Sequence, residues 1–499
     1  MQVGAIYQSY YTHSDALVNY MVKMLNIRDN MRILEPCAGD GVFIDALLKR
    51  KPDLWIDAYE MNPEAFSILE EKYVDKKNIS LKKSDTLLDE ELTFFSKFGG
   101  GYDRIIANPP YGAWQDYSKR KDLKKLYPEI YVKETYALFL YRCFHLLADY
   151  GKLVFILPDT YLNLHMHTAL RNMLLKEAKI LEIALFPSSF FPNVNFGYAN
   201  LSIITLEKAD RKPTLATNQF RVLTELKQLE DLEKEKIPAR IYTFTQEEVY
   251  THPQHAFFVA DKQINILLHT SVQKLGDIAD CVTGIYSGND KKYLHPISSG
   301  IRNSKNYSLI EEEAICHNYI EKKNLLDGIA ACECFVPIVK GGAVKYIKSD
   351  NWYIDWSLDA VKSYKTDKKA RFQNSSHYFK KGIGVPMVSS SQITGVLMEY
   401  RLFDQSIVGI FPRDEKWLYY LLAFFNSSTC NRLIRTINPS ANNSANYIKK
   451  IPFITPDDDI LIIINDKVMK IISDIRKKSK HDQEDEKFVN ELIQDLYGL

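Results

Sequence analysis

The chain of 499 residues balances 64 lysines and arginines against 63 acidic residues, a formal net charge of +1, and is 46% hydrophobic and 25% charged. Those proportions describe soluble globular material of two or three domains at roughly 100–200 residues each, and no apolar run approaches the roughly 20 residues of a membrane helix. Near-neutrality lends no support to a polyanion partner and excludes none, because a basic cleft can be offset by acidic surface elsewhere. The opening "MQVGAIYQSYYTHSD" lacks the basic and apolar regions of a signal peptide. Seven cysteines, an odd and scattered set, suit a reducing cytoplasm better than a disulfide framework.

Up to about residue 208, strand and helix signals alternate. "MRILEP" is a short apolar run closed by Glu35 and Pro36, and "VFIDALLKR" beyond the glycines has helical spacing. "LWIDAYE" predicts a second strand, "AFSILEEKYV" a second helix and "ISLKKSD" a third strand. "DRIIANPP" is the fourth strand, and "ETYALFLYRCFHLLADYG" is a long helix closed by Gly151. Three more strands follow in "KLVFILP", "ILEIALFP" and "ANLSIITLEK". Such alternation predicts an α/β fold with a mostly parallel sheet, and ligands of such sheets bind outside the carboxyl ends of the strands. Four of those ends carry polar or turn chemistry: Glu35 with Gly39 and Gly41, Glu60, Asp85 and Asn108. They should converge along one edge.

From about 209 to 250 the pattern gives way to polar, charge-rich text, "KQLEDLEKEKIPAR" among it, which predicts a solvated linker helix. Beyond 250 the apolar runs shorten and Gly, Asn and Ser multiply, predicting a second, mixed and β-rich domain that closes with a helix after Pro456. The expected division is 1–245 and 246–499.

The glycines of "EPCAGDGVF" let backbone approach a ligand at a helix N-terminus. Glu60, about 20 residues further on, is placed to accept from ribose hydroxyls, and Asp85 to accept from an adenine amino group. Taken singly, each acid is more often a solvated group, and Gly-x-Gly also suits a nicotinamide or nucleotide site. "NPPY", Asn108 to Tyr111, ends its strand because proline cannot donate to a β-ladder. It reads either as a plain Pro-rich turn or as a rigid set of outward acceptors with Tyr111 as a stacking plate.

In order along the chain, these segments resemble the motifs of one family, the γ-class, TaqI-like, S-adenosylmethionine-dependent adenine-N6 DNA methyltransferases. "YYTHSDALVNYMV" resembles motif X, "LEPCAGDGVF" motif I, "AYEMNP" motif II, "KKSDTL" motif III, "NPPYG" motif IV and "FFPNVNFGYANLSII" motif VIII. His13 stands where the family has proline, and "EPCAG" reverses the commoner Ala-Cys order.

The resemblance implies a Rossmann-like methyltransferase domain with a mostly parallel seven-stranded sheet, followed by a mixed α+β target-recognition domain. It implies S-adenosylmethionine held by Thr12, Glu35, Pro36, Ala38, Gly39, Gly41, Glu60, Met61, Asp85, Thr86, Asn108 and Phe139. It assigns transfer to Asn108, Pro109, Pro110 and Tyr111, with Phe191 against the opposite face of a flipped-out adenine. Duplex DNA is the implied partner, with a separate cognate restriction endonuclease, a monomeric state on DNA, no membrane and a bacterial or archaeal cytoplasm.

Competing readings are an NPPY methyltransferase of RNA or protein glutamine, an inactive DNA-binding module, and a fusion that also cuts. A motif X so near the start leaves no expected room ahead for a nuclease. No metal is expected: Cys316, His317, Cys332 and Cys334 match no standard zinc spacing, and the three cysteines read as buried thiols. His165 and His167 read as surface or loop histidines. "SKRKDLKKLYP" reads as a solvated face, or as a grip on phosphates beside the target base.

Overall fold

The computed structural model describes residues 14–111, 117–191, 200–209, 216–260, 262–270, 273–342, 344–389, 392–438, 442–478 and 482–499. They fall into two compact units, 1–259 and 260–499. No described helix is long and apolar enough to cross a membrane.

The first unit runs α1 (Asp15–Leu25), β1 (Arg32–Glu35), α2 (Val42–Arg50), β2 (Trp55–Tyr59), α3 (Pro63–Tyr73), β3 (Ile79–Lys82), α4 (Glu90–Phe98) and β4 (Tyr102–Ala107). It continues through α5 (Tyr117–Leu126), α6 (Thr135–Leu146), β5 (Leu147–Pro158), α7 (Thr168–Glu177), β6 (Ala178–Pro187) and β7 (Asn200–Lys208) to β8 (Gln219–Thr224), β9 (Arg240–Thr245) and α8 (Gln246–Thr251). The strands form one sheet in the order β3-β2-β1-β4-β5-β7-β6-β8-β9. β3 through β5 pair in parallel, and β7 runs antiparallel between β5 and β6. Ile33, Ile105, Ile106 and Val154 sit fully buried at its centre, as strands covered on both faces require. The order reverses between β1 and β4: the chain builds outward through β2 and β3 on one side, then returns to add β4 and β5 on the other. Ligand crevices of α/β sheets open at such a reversal.

Three expectations need correction. The sheet has nine strands, not seven, because the stretch taken as a linker helix contributes β8 and β9. Both alternate with period two, and Phe220 pairs with Phe244 against the core while Arg221 and Thr243 point the other way. The long helix stops at Leu146 rather than Gly151. Tyr150 is left-handed there, and a Cβ at Gly151 would lie 2.8 Å from the Ala148 and Tyr102 carbonyls, so the backbone crosses too close for helix or side chain. The first unit also extends past 245. The Gln246 amide donates to the Leu175 and Ala178 carbonyls at 2.9 and 3.0 Å and accepts from the Ile180 N–H at 2.9 Å. The Phe257 N–H reaches the Leu162 carbonyl at 2.9 Å.

The second unit opens with α9 (Lys262–Thr270), α10 (Leu275–Ile278), β10 (Ala279–Thr283), α11 (Asp290–Tyr293), β11 (Leu294–Pro296), β12 (Phe335–Val339), β13 (Trp352–Asp355) and α12 (Leu358–Thr366). β14 (Lys380–Pro386), β15 (Val396–Phe403), β16 (Ile407–Pro412), α13 (Leu418–Phe425), α14 (Ser428–Ile437), α15 (Ala445–Ile448), α16 (Asp458–Lys478) and α17 (Gln483–Tyr497) complete it. Its mixed sheet has the order β10-β16-β14-β15-β12-β13-β11, over a core centred on Trp356. Two helices follow Pro456 where one was expected.

Candidate active site at the carboxyl edge of the first sheet

β1 delivers Glu35 to the reversal point. Its side chain is 1% exposed, and Oε2 has no hydrogen-bond partner among the described residues. Burial pushes this carboxyl well above the usual carboxylate range, and the neighbouring Glu60, Asp40 and Asp45 add to it against the pull of Lys72. Beyond it the loop turns through Gly39 and Gly41 at φ +56° and +83°. Gly41 is required: a Cβ there would meet the Tyr73 hydroxyl at 2.6 Å, while that hydroxyl donates to the Gly41 carbonyl at 3.0 Å.

Glu60 follows β2 and is 6% exposed. Its two oxygens accept from the Gly39 N–H at 2.8 Å and the Asn62 N–H at 2.7 Å, which ties the glycine loop to the start of α3. Burial raises its pKa, and those backbone donors, with that of Met61, oppose the rise. The Ala38 N–H donates to the Tyr59 carbonyl at 2.8 Å, and the buried Thr86 hydroxyl to the Pro36 carbonyl at 2.5 Å. Met61 is exposed at the rim. Asp85, past the end of β3, accepts from the Leu87 N–H at 3.0 Å and pairs with Lys119 of α5 at 2.6 Å.

β4 ends at Ala107, opposite Phe155 of β5, and Asn108, Pro109, Pro110 and Tyr111 follow. The Asn108 backbone N–H bonds the Cys37 thiol, joining this turn to the loop after β1. Burial first, then Glu35 and Glu60, push that thiol far above the usual cysteine range, so it stays neutral beside the two acids. The sequence reading passed over Cys37; its position inside "EPCAG" was the available signal. Tyr111 is 1% exposed and belongs to the core cluster of the first unit.

Phe191 lies half-buried past β6, its ring tilted 6.3 Å from Phe186. Phe139 is buried in α6 within the main core. Thr12 lies outside the described residues, as do most of the motif VIII segment and Phe196.

The same edge carries two groups the sequence reading missed or misplaced. Asp159, just past β5, is buried, accepts from the Asn200 amide at 3.1 Å, and is pushed up to about 6 by burial. His167 is not a surface residue: it is 1% exposed, bonds the Tyr136 hydroxyl through Nε2 at 3.0 Å, and burial and Arg171 hold it down at about 3. In the second unit the Cys316 thiol meets Asn318 and the Cys334 thiol Asp355, while Cys332 is exposed where a buried thiol was expected. Among the described residues no three His, Cys, Asp or Glu are placed to hold a metal.

Taken together, the edge offers buried carboxyl oxygens, one of them without a partner among the described residues, beside a loop that turns through glycines. That fits a ligand bearing hydroxyls and positive charge.

Residues 44–191 match the family described as Eco57I restriction-modification methylase. The chain is 24% identical over 276 residues to the Type II methyltransferase M.AccI of Acinetobacter calcoaceticus, covering 53% of this chain and 49% of that protein. It is 24% identical over 367 residues to the adenine-specific methyltransferase BrxX of Escherichia coli O9:H4, covering 71% of this chain and 28% of that one. Among solved structures, the DrdV–DNA complex superposes with a TM-score of 0.56 at 12% identity, covering 94% of this chain and 57% of that one, a likeness of fold. The chain thus spans about half the length of the first relative it matches.

Proposed function

From the match of residues 44–191 to a restriction-modification methylase family, we propose that the protein transfers a methyl group from S-adenosylmethionine to N6 of an adenine flipped out of duplex DNA. The observation that carries it is the meeting of buried Glu35 and Glu60 with the Asn108–Tyr111 turn at the reversal between β1 and β4, bridged by the Asn108 N–H to Cys37. When bound, S-adenosylmethionine supplies a methyl group activated by a sulfonium leaving group.

Glu35, whose Oε2 has no partner among the described residues, would hold the positive end of that molecule. Glu60 would accept from its ribose hydroxyls with the lone pairs that Gly39 and Asn62 leave over. Asp85 would take its adenine amine, and Pro36, Ala38, Met61, Thr86 and Phe139 would line its site, with Thr12, outside the described residues, assigned to it by the resemblance alone.

An exocyclic adenine amine is a poor nucleophile because its lone pair is delocalised into the ring. The Asn108 side-chain oxygen and the Pro109 carbonyl accept its two hydrogens and draw the nitrogen toward tetrahedral geometry, which frees the lone pair for in-line attack. Pro110 stiffens the turn, and Tyr111 and Phe191 sandwich the base, a kind of stacking worth about 1–3 kcal/mol per base. The base must leave the helix, since N6 cannot be reached within a duplex in this geometry. The second unit reads the site, and the chain works as a monomer beside a separate restriction endonuclease of the same specificity.

Single-molecule sequencing of genomic DNA from cells expressing the protein tests the reading. N6-methyladenine at one sequence motif supports it. Label from S-adenosylmethionine found instead in ribosomal RNA or in protein glutamine would replace it.

A further inference from the structure

α5 is the next described element after the Asn108–Tyr111 turn, and its sequence "YSKRKDLKKL" holds five basic residues and one acidic residue in ten, on a chain whose net charge is only +1. The helix is docked on the ligand edge of the sheet. Leu123 is fully buried, Lys119 pairs with Asp85 at 2.6 Å, and the Tyr127 hydroxyl just beyond donates to the Leu87 carbonyl at 2.7 Å. Asp85 and Leu87 both follow the carboxyl end of β3, so α5 lies along the same edge as Glu35, Glu60 and Asn108.

Lys119 and Leu123, four residues apart, share the inward face. Lys121, Lys124 and Lys125 stand three and four residues apart on the opposite face, and all three are exposed. Asp122 meets Lys125 at 3.7 Å, a loose and exposed contact. Like charges at these spacings repel and weaken the helix that carries them. Folding gains nothing from the arrangement; a polyanion would.

We propose that Lys121, Lys124 and Lys125 form a phosphate-binding face that grips the DNA backbone beside the target base. The inference rests on the methyltransferase reading above and extends it to a surface of this chain. Its contacts carry no sequence information, so they set the strength and salt dependence of binding rather than the site chosen.

The test measures binding of the full chain to a mixed-sequence duplex of about 30 base pairs across a salt series. Three proteins are compared: wild type, K121Q/K124Q/K125Q, and K76Q/K77Q as control. Glutamine keeps helix propensity, and the control pair is exposed just before β3, at the amino end of that strand. Each lost phosphate contact should lower the slope of log K against log salt by about 0.9, so the triple variant should lose about 2.7. The control slope should match wild type, and S-adenosylmethionine affinity should be unchanged in all three.

A triple variant with the wild-type slope overturns the proposal and leaves the methyltransferase reading standing. So does an equal loss per lysine in both variants, which would mean diffuse charge rather than a binding face. A wild-type chain that neither binds nor methylates duplex DNA overturns the underlying reading, and this proposal with it.

Discussion

The Lys119 ammonium lies 2.6 Å from the Asp85 carboxylate, linking the basic helix α5 to the strand end that faces the proposed cofactor's adenine. With the Leu87 N–H also donating at 3.0 Å, the Asp85 oxygens are held in one geometry. Asp85→Ala should weaken S-adenosylmethionine binding by about 10–100-fold, since hydrogen bonds to a charged group are worth ~1.5–3 kcal/mol. Lys119→Met should cost less than about tenfold, because it orients the acceptor without replacing it. Calorimetric titration checks both; equal losses would mean that Lys119 itself touches the ligand.

Asn108→Ala should abolish methyl transfer while cofactor affinity changes little, because only the side-chain acceptor is lost and the backbone N–H toward Cys37 stays. Tyr111→Trp should retain activity where Tyr111→Ala loses most of it, since stacking tolerates any flat ring. Single-turnover rates alongside cofactor titration separate the two roles. Near-normal turnover by the Asn108 variant would sink the mechanism.

Glu35 and Glu60 both have pKa values raised in the folded state. Their contribution is therefore present below the unfolded value of 4.5 and is lost as pH rises through the folded one. Glu35→Gln removes that loss. The ligand-free protein should become more stable near neutrality, by about 1–3 kcal/mol, and bind S-adenosylmethionine about 10–100-fold more weakly. Glu60→Ala should weaken binding too, but destabilise, because the Gly39 and Asn62 N–H groups lose their acceptor. Melting curves with and without cofactor distinguish the opposite signs.

His167 and Asp159 should give opposite pH signatures. His167 titrates near 6.5 unfolded and about 3 folded, so its stabilisation is present above 6.5 and is lost as pH falls toward 3. At pH 5 that loss is about 2 kcal/mol. Asp159, raised from 3.8 to about 6, contributes below 3.8 and loses that contribution as pH rises to about 6. Chemical denaturation between pH 7 and 5 should therefore show a shallower acid loss for His167→Gln and a steeper one for Asp159→Asn.

A chain ending at Val259 should melt cooperatively and bind S-adenosylmethionine, yet fail to methylate duplex DNA with site selectivity. A chain ending at Thr245 loses Gln246 and leaves the Ile180 N–H and the Leu175 and Ala178 carbonyls without their partner, so it should melt lower or aggregate. Should residues 1–259 mark the same sequence as the whole chain, recognition belongs to the first unit.

The strand ends were legible because each combines a local apolar run with a chemical break. Glu35-Pro36, Asn108-Pro109 and the glycines announce themselves without tertiary context. β8 and β9 were not: strands at the rim of a sheet, half-exposed to water, alternate polar and apolar residues, and "QFRVLT" beside a charged run reads as linker until Phe220 finds Phe244. Buried charge is equally silent in one dimension. Arg171 is fully buried because the Tyr161 and Leu164 carbonyls of one turn and the Gln254 carbonyl of a distant one surround its guanidinium. His167 owes its burial to Tyr136, which lies 31 positions away in the chain.

Tyr111 is 1% exposed, so protein already packs against the ring proposed to stack on the base. An incoming adenine therefore exchanges contacts rather than adding them, and only the difference between the two packings rewards arrival. Ordinary thermal opening of a base pair delivers many bases to the mouth of the site, and most bring too little to displace what is there. A base that both stacks and offers two N–H donors to Asn108 and Pro109 brings enough. Under the proposed mechanism the closed ring would act as a threshold, setting discrimination before any bond is made and placing part of the turnover time in rearrangement.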